Sequence, residues 1–126
     1  MTNKQVLKQL KGLQPGDLIR VGWFDASIGK SLTSGAIDVP VKSWGIFIGI
    51  LGEKNKHIIL AQNNFKYTNG LFDIDYTAIP LGWAIEIKVA SKQEISLDEA
   101  QSLLTSFLRG RSRTLKRKIV NHEKLH

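Results

Sequence analysis

Apolar residues recur along this chain with two different periods. Near the start, Val6, Leu10 and Leu13 fall close to the helical spacing behind Asn3, whose short side chain suits a helix cap, and Gly12 before Gln14-Pro15-Gly16-Asp17 stops the run. From Leu18 the period drops to two: Ile19, Val21 and Trp23 alternate with Leu18, Arg20 and Gly22, which predicts a half-buried strand from Asp17 to about Phe24. A second strand is predicted from Val41 to Leu51. Trp44, Ile46, Ile48 and Ile50 share one face of it, with Trp44, Ile46 and Ile48 assigned inward, while Ser43, Gly45, Phe47, Gly49 and Leu51 take the other. The glycines flanking Phe47 leave room on its face for another backbone, a packed helix or a planar ligand.

Further on, His57 to Gln62 reads as a third strand, and Asn69-Gly70 is a two-residue turn signal. Phe72, Ile74 and Tyr76 alternate next, the pattern breaks at Ile79-Pro80-Leu81-Gly82, and Trp83, Ile85, Ile87 and Val89 then alternate against Ala84, Glu86 and Lys88. From Ser96 the helical period returns through Leu97, Ala100, Leu103, Leu104, Phe107 and Leu108, with Ser96 and Glu99 as a capping box and Gly110 as the stop. A weaker helix is marked by Leu115, Ile119 and Val120. The 16 residues from Asp25 to Pro40 are polar, small and glycine-rich, longer than most structureless connections and of the kind that often carries function.

These elements predict a mainly β protein with flanking helices: a small antiparallel five-stranded barrel or rolled sheet with a short N-terminal helix and a C-terminal helical segment. The expectation is a single domain over 1–126, with a leading helix in 1–14, the barrel in 15–90 and a helical basic segment in 91–126. The architecture resembles the Sm-like and Src-homology-type barrels, which place a short helical turn where Ile79 to Gly82 interrupts the pattern.

The chain has 126 residues and no cysteine, which excludes disulfides, thiolate metal sites and a cysteine nucleophile, and favours an intracellular home. The first twenty residues lack the apolar core of a secretion signal and no apolar run approaches the length of a membrane span, so a soluble cytoplasmic protein with no membrane partner is expected. Formal net charge is +7, unevenly placed. Residues 1–90 hold ten Lys and Arg against seven Asp and Glu, and residues 91–126 hold eight against four.

Pro15-Gly16-Asp17-Leu18-Ile19, then Ser43-Trp44-Gly45-Ile46-Phe47-Ile48-Gly49, then Ile58-Ile59-Leu60-Ala61-Gln62 follow the order seen in the papain-like superfamily of cell-wall peptidases and lecithin:retinol acyltransferases. The resemblance covers Pro15 to about Gln62. In that superfamily a strand of this look carries a histidine that activates a cysteine elsewhere in the chain. Ser43 stands at the histidine position, so the resemblance implies a catalytically dead relative: a neutral serine is no base, and no thiol is present.

Other catalytic patterns fail on spacing or place. His122-Glu-Lys-Leu-His126 matches a zinc-protease signature, but it stands at the end of the sequence, where chains fray, and His57 or an aspartate would have to fold over to complete a site. Ile28-Gly29-Lys30-Ser31 lacks the earlier glycine of a phosphate loop, because that position is Phe24. Asp73 and Asp75, with Asp25 and Asp38, could be imagined as a hard-metal cluster, but a solvated strand face with Asx-type turn contacts accounts for them better. The expectation is a protein that is not an enzyme and holds no metal or cofactor.

Charge and aromatic residues carry the functional reading. Arg109, Arg111, Arg113, Lys116, Arg117 and Lys118 place six cations within ten residues with no acid among them, suited to phosphates. Phe65, Lys66 and Tyr67, with Lys54 and Lys56 in the preceding loop, combine aromatic rings and cations as small barrels do when they hold single strands. The expected function is non-specific, salt-sensitive binding of DNA or RNA. The alternative is a protein-interaction module or a structural subunit of a homo-oligomer, burying the Leu97 to Leu108 helix face or the Phe47 face against a partner.

Overall fold

A computed structural model of the chain describes residues 3–25, 39–66, 68 and 72–109, with the backbone alone described at 65, 66 and 72. It contains helix α1 (Lys4–Leu10), strands β1 (Leu18–Asp25), β2 (Val39–Leu51), β3 (His57–Lys66) and β4 (Phe72–Pro80), a 3-10 turn at Leu81–Trp83, strand β5 (Ala84–Ser91), and helix α2 over residues 97–109. The five strands form one antiparallel sheet in the order β4-β3-β2-β1-β5. The mainly β architecture with flanking helices is thus as expected, and the short helical turn lies where the periodicity breaks. The Asn69-Gly70 turn, the 26–38 connection and the weaker helix near Leu115 lie outside the described residues. Among the described residues, no helix is long and apolar enough to cross a membrane.

Apolar clusters form on both faces of the sheet. On its inner face Val6, Ile19, Val21, Trp23, Phe47, Ile58, Leu60, Ile79, Leu81, Ala84 and Ile87 form the main core. On its outer face Ile48, Ile59, Ala61 and Ile74 pack with Leu103 and Phe107 of α2. Asn3 caps α1 by accepting from the amide of Gln5 at 2.8 Å, and Ser96 caps α2 by accepting from Glu99 at 3.1 Å. Helix α1 guards one edge of the sheet: the amide of Ile87 on β5 donates to Gln9 Oε1 at 2.8 Å.

Strand β2 corrects two expectations. Phe47 is 6% exposed and sits in the main core, so its face is no ligand groove. Trp44, assigned inward, is 54% exposed. The close approach read from the glycines is present at Gly45, where a Cβ would stand 2.9 Å from Leu60 Cβ and 3.0 Å from the carbonyl oxygen of Ala61, so the room it leaves is taken by β3. A bulge at Phe47–Gly49 then shifts the period: Ile46 pairs with Ala61 and Gly49 with Ile59, so Ile50, opposite Ile58, no longer shares the face of Ile46 and Ile48.

The Pro15-Gly16-Asp17 turn ties both cores together. Gly16 has φ +107°, and a Cβ there would run into the carbonyl oxygen of Ile95, so only glycine fits. Its N–H donates to Phe47 O at 2.8 Å and its carbonyl accepts from Ile95 N at 3.2 Å. The fully buried Asp17 carboxylate accepts from Lys92 Nζ at 2.7 Å and from the amides of Gln14 and Gln93, each at 2.9 Å. Burial alone would raise its pKa, but the bonds from Lys92 and the two amides outweigh it and hold the carboxyl below its ordinary range. The turn therefore fixes the connection from β5 to α2, and so the place where α2 begins.

Candidate nucleic-acid interface

Helix α2 covers only part of the outer face. Its buried residues Leu103 and Phe107 lie over β2, β3 and β4, and among the described residues nothing covers the outer face of β1, β5 and the first half of β2. Cross-strand partners share a face. Leu18 pairs with Ile46 on the outer side, so alternation puts Arg20 opposite Trp44, Gly22 opposite Lys42 and Phe24 opposite Pro40 there too. On the other flank Arg20 pairs with Lys88 and Gly22 with Glu86. A register shift between Gly22 and Trp23 sets Ile85 beside Gly22, its Cγ1 lying 3.9 Å from where a Cβ of Gly22 would be.

The bare area is aromatic and basic. Trp44 is 54% exposed, Phe24 41% and Ile85 38%, around a glycine that leaves the floor between them low. Three cations rise from the same face, Arg20, Lys42 and Lys88, against a single acid, Glu86. Arg20 Nη2 donates to Glu86 Oε1 at 2.6 Å, which relieves the like charges of Arg20 and Lys88 directly opposite each other. The pair is one-pronged, since Arg20 Nε is buried without an acceptor. Lys42 and Lys88 are exposed and enter no ion pair among the described residues. A shallow face of this kind can take flat rings against Trp44 and Phe24 while phosphates meet the lysines.

Ser43, which occupies the histidine position of the papain-like pattern, faces the opposite way. Its Oγ accepts from the indole Nε1 of Trp23 at 3.0 Å, and Trp23 stacks on Trp83 of the 3-10 turn with centroids 6.2 Å apart and planes at 18°. The serine here orients an indole at the end of the core.

The residues expected from sequence to bind nucleic acid are scattered. Lys54 and Lys56 are exposed in the β2–β3 loop, at the His57 end of β3. Phe65 and Lys66 are the last residues of that strand, paired with Asp73 and Phe72. Nine residue steps of extended chain, roughly 30 Å, separate the two groups, so the loop lysines do not join the hairpin aromatics. Arg109 is exposed at the last described turn of α2. Phe107 meets Tyr76 edge-on at 4.6 Å and shares a cluster with Ile74, which places that end of α2 over β4, close to the hairpin. Tyr67, Arg111, Arg113, Lys116, Arg117 and Lys118 lie outside the described residues. Of the four aspartates considered for a metal, Asp25 is buried at the end of β1 and Asp73 and Asp75 lie on β4, while Asp38 is outside the described residues. Among the described residues, no three His, Asp or Glu side chains converge.

Arg20, Lys42, Trp44, Phe24 and Lys88 were not legible as a site from the sequence. The available signal was the insertion of Arg20, Lys42 and Lys88 among strand aromatics, but nothing in the pattern told which half of the face α2 would leave open. The interaction surfaces considered as the alternative are largely used within the chain: Ala100, Leu103 and Phe107 are buried, and only Leu97 and Leu108 of that stripe remain widely exposed. Comparison of the chain with family models, with curated proteins and with solved structures finds no match.

Proposed function

We propose that the protein is a non-catalytic nucleic-acid-binding protein that holds a single strand across the half of its sheet's outer face that α2 leaves uncovered. Bases stack on Trp44 and Phe24, Lys42 and Lys88 meet the flanking phosphates, and the cations of residues 109–118 add sequence-independent attraction. The observation that carries the reading is the exposed Trp44, 54% accessible in the middle of a strand and flanked by Arg20, Lys42 and Lys88. Trp44, Phe24 and Ile85 together leave an apolar patch that a flat partner could cover, and the surrounding positive charge favours an anionic one. Flat contacts of this type take any base, so selectivity among sequences is low.

The test is titration of a fluorescein-labelled oligonucleotide, deoxythymidine or uridine homopolymer, by anisotropy at several salt concentrations. Wild type binds and releases with salt, and Trp44→Ala weakens binding by roughly 5- to 100-fold, the range of a lost base–aromatic stack. Equal binding by wild type and Trp44→Ala removes the sheet face from the interface. If wild type binds no oligonucleotide and instead forms a fixed oligomer through Trp44, the alternative of a structural subunit replaces this reading.

A further inference from the structure

Arg20 stands at the centre of the uncovered half of the outer face, between Trp44 on β2 and Lys88 on β5. Glu86 is not its direct cross-strand partner. That carboxylate belongs to the next row, opposite Gly22, and reaches the guanidinium diagonally past a residue with no side chain to intervene. The contact is one bond, from Nη2 to Oε1 at 2.6 Å. Among the described residues the guanidinium makes no other, and its Nε is buried without an acceptor. With Nε closed off, the end that meets solvent and Glu86 is the fork of Nη1 and Nη2. The Arg20 side chain is 26% exposed and that of Glu86 49%, so the pair lies at the surface.

This pairing leaves the guanidinium poorly matched. Its planar N–H groups suit two oxygens of one anion, and two-pronged pairs with phosphate are among the strong polar contacts. Glu86 engages one prong only. An exposed ion pair adds little to stability, so an anion able to take both prongs displaces the carboxylate at small cost, and Glu86 turns out into water. The surroundings favour the exchange. Lys88 lies directly opposite Arg20, and Lys42 is two residues along β2 from Trp44; both are exposed, and neither is in an ion pair among the described residues.

We infer that Arg20 is a phosphate-binding site that Glu86 occupies in the free protein, the incoming phosphate taking Nη1 and Nη2 as the carboxylate leaves. Glu86 thereby works as a built-in competitor. It separates the like charges of Arg20 and Lys88 until a phosphate arrives, and it turns away anions that bind more weakly than itself. That the phosphate belongs to a nucleic-acid strand rests on the function proposed above; the exchange at Arg20 does not.

The test is NMR of the full chain, following the Nε–H signal of Arg20, identified by its loss in Arg20→Lys, as inorganic pyrophosphate is added. Glu86→Gln reaches half-saturation at about two- to fivefold less pyrophosphate than wild type, the effect of removing an exposed ion pair, and binds a deoxythymidine homopolymer more tightly by the same factor. Glu53→Gln removes an equal charge from the β2–β3 loop and leaves both values near wild type. A signal that pyrophosphate moves in neither wild type nor Glu86→Gln overturns the inference. An equal gain in Glu53→Gln also overturns it, because Glu86 would then act only through overall charge. The homopolymer separates this inference from the function. Pyrophosphate bound at Arg20 and favoured by Glu86→Gln, with no homopolymer bound, leaves the site standing and removes the nucleic-acid reading. Homopolymer binding that depends on Trp44 while the Arg20 signal stays fixed removes the site and leaves the reading.

Discussion

The two halves of β2 carry the same pattern and meet opposite fates. Lys42 and Trp44 on one side of Gly45 stand in solvent, whereas Ile46 and Ile48 on the other lie beneath α2, Ile48 only 1% exposed. Backbone alternation runs unbroken from Lys42 to Phe47, so the strand itself does not decide which outer residues are buried. The position of α2 decides it, and that position is set at its start by the turn at Gly16 and Asp17, held by Lys92 and by the bonds between that turn and Phe47, rather than by the alternation of β2. One half of the face therefore works as core, and the other is left uncovered among the described residues.

The largest effects should come from the covered side and the inner core. Phe47→Ala is expected to cost ~3–5 kcal/mol and Leu103→Ala ~2–5 kcal/mol by urea unfolding, as buried large-to-small changes do, while Trp44→Ala stays within ~1 kcal/mol. A loss at Trp44 as large as at Leu103 would mean that the bare half is packed in solution and would erase the difference between the halves.

Next in size are changes at the turn that positions α2. Gly16→Ala meets a left-handed φ, worth ~1–2 kcal/mol, and adds a collision with Ile95 O that the backbone must relieve. Its signature is loss of protection in α2 before the inner core opens, read by hydrogen exchange. Asp17 supplies a pH dependence of known sign. Its native pKa lies below the ordinary 3.8, so its contribution is complete above the unfolded value and is lost as pH falls through the native one. Unfolding midpoints should thus decline below ~pH 4 in wild type, and Asp17→Asn should be less stable at neutral pH yet flatter through that window. A variant that keeps the wild-type acid profile would assign the titration to another group.

Five strands, two helices and the 3-10 break were legible because their periods and stops are local: alternation from Leu18, the cap at Ser96, the interruption at Pro80. The bulge at Phe47–Gly49 was not, although Gly49 hinted at it, because an extra residue leaves the apolar count unchanged while turning Ile50 to the other face. The reading of Trp44 as inward had the same cause as the miss of the whole site. Period two says that Trp44 and Ile46 share a face, but which of them lies under a helix depends on a contact between Leu103 and residues more than forty positions earlier. Lys54 and Phe65 looked like neighbours in sequence and are held apart by the length of β3.

The finest test of the contrast lies in the salt dependence of binding. Lys42 and Lys88 flank Trp44 and Arg20 on the bare half, whereas Lys54 and Lys56 are equally exposed cations on a loop away from it. Each phosphate contact on a single strand contributes about 0.7 to the slope of log affinity against log salt. Lys42→Gln and Lys88→Gln should each flatten the slope by that amount without changing the preference among homopolymers, and Lys54→Gln with Lys56→Gln should leave it nearly unaltered. Net charge falls by one in either single variant and by two in the loop pair, so an effect of overall charge alone would make the loop pair the stronger of the two. That result would dissolve the distinction between an interface on the sheet and a generally basic surface.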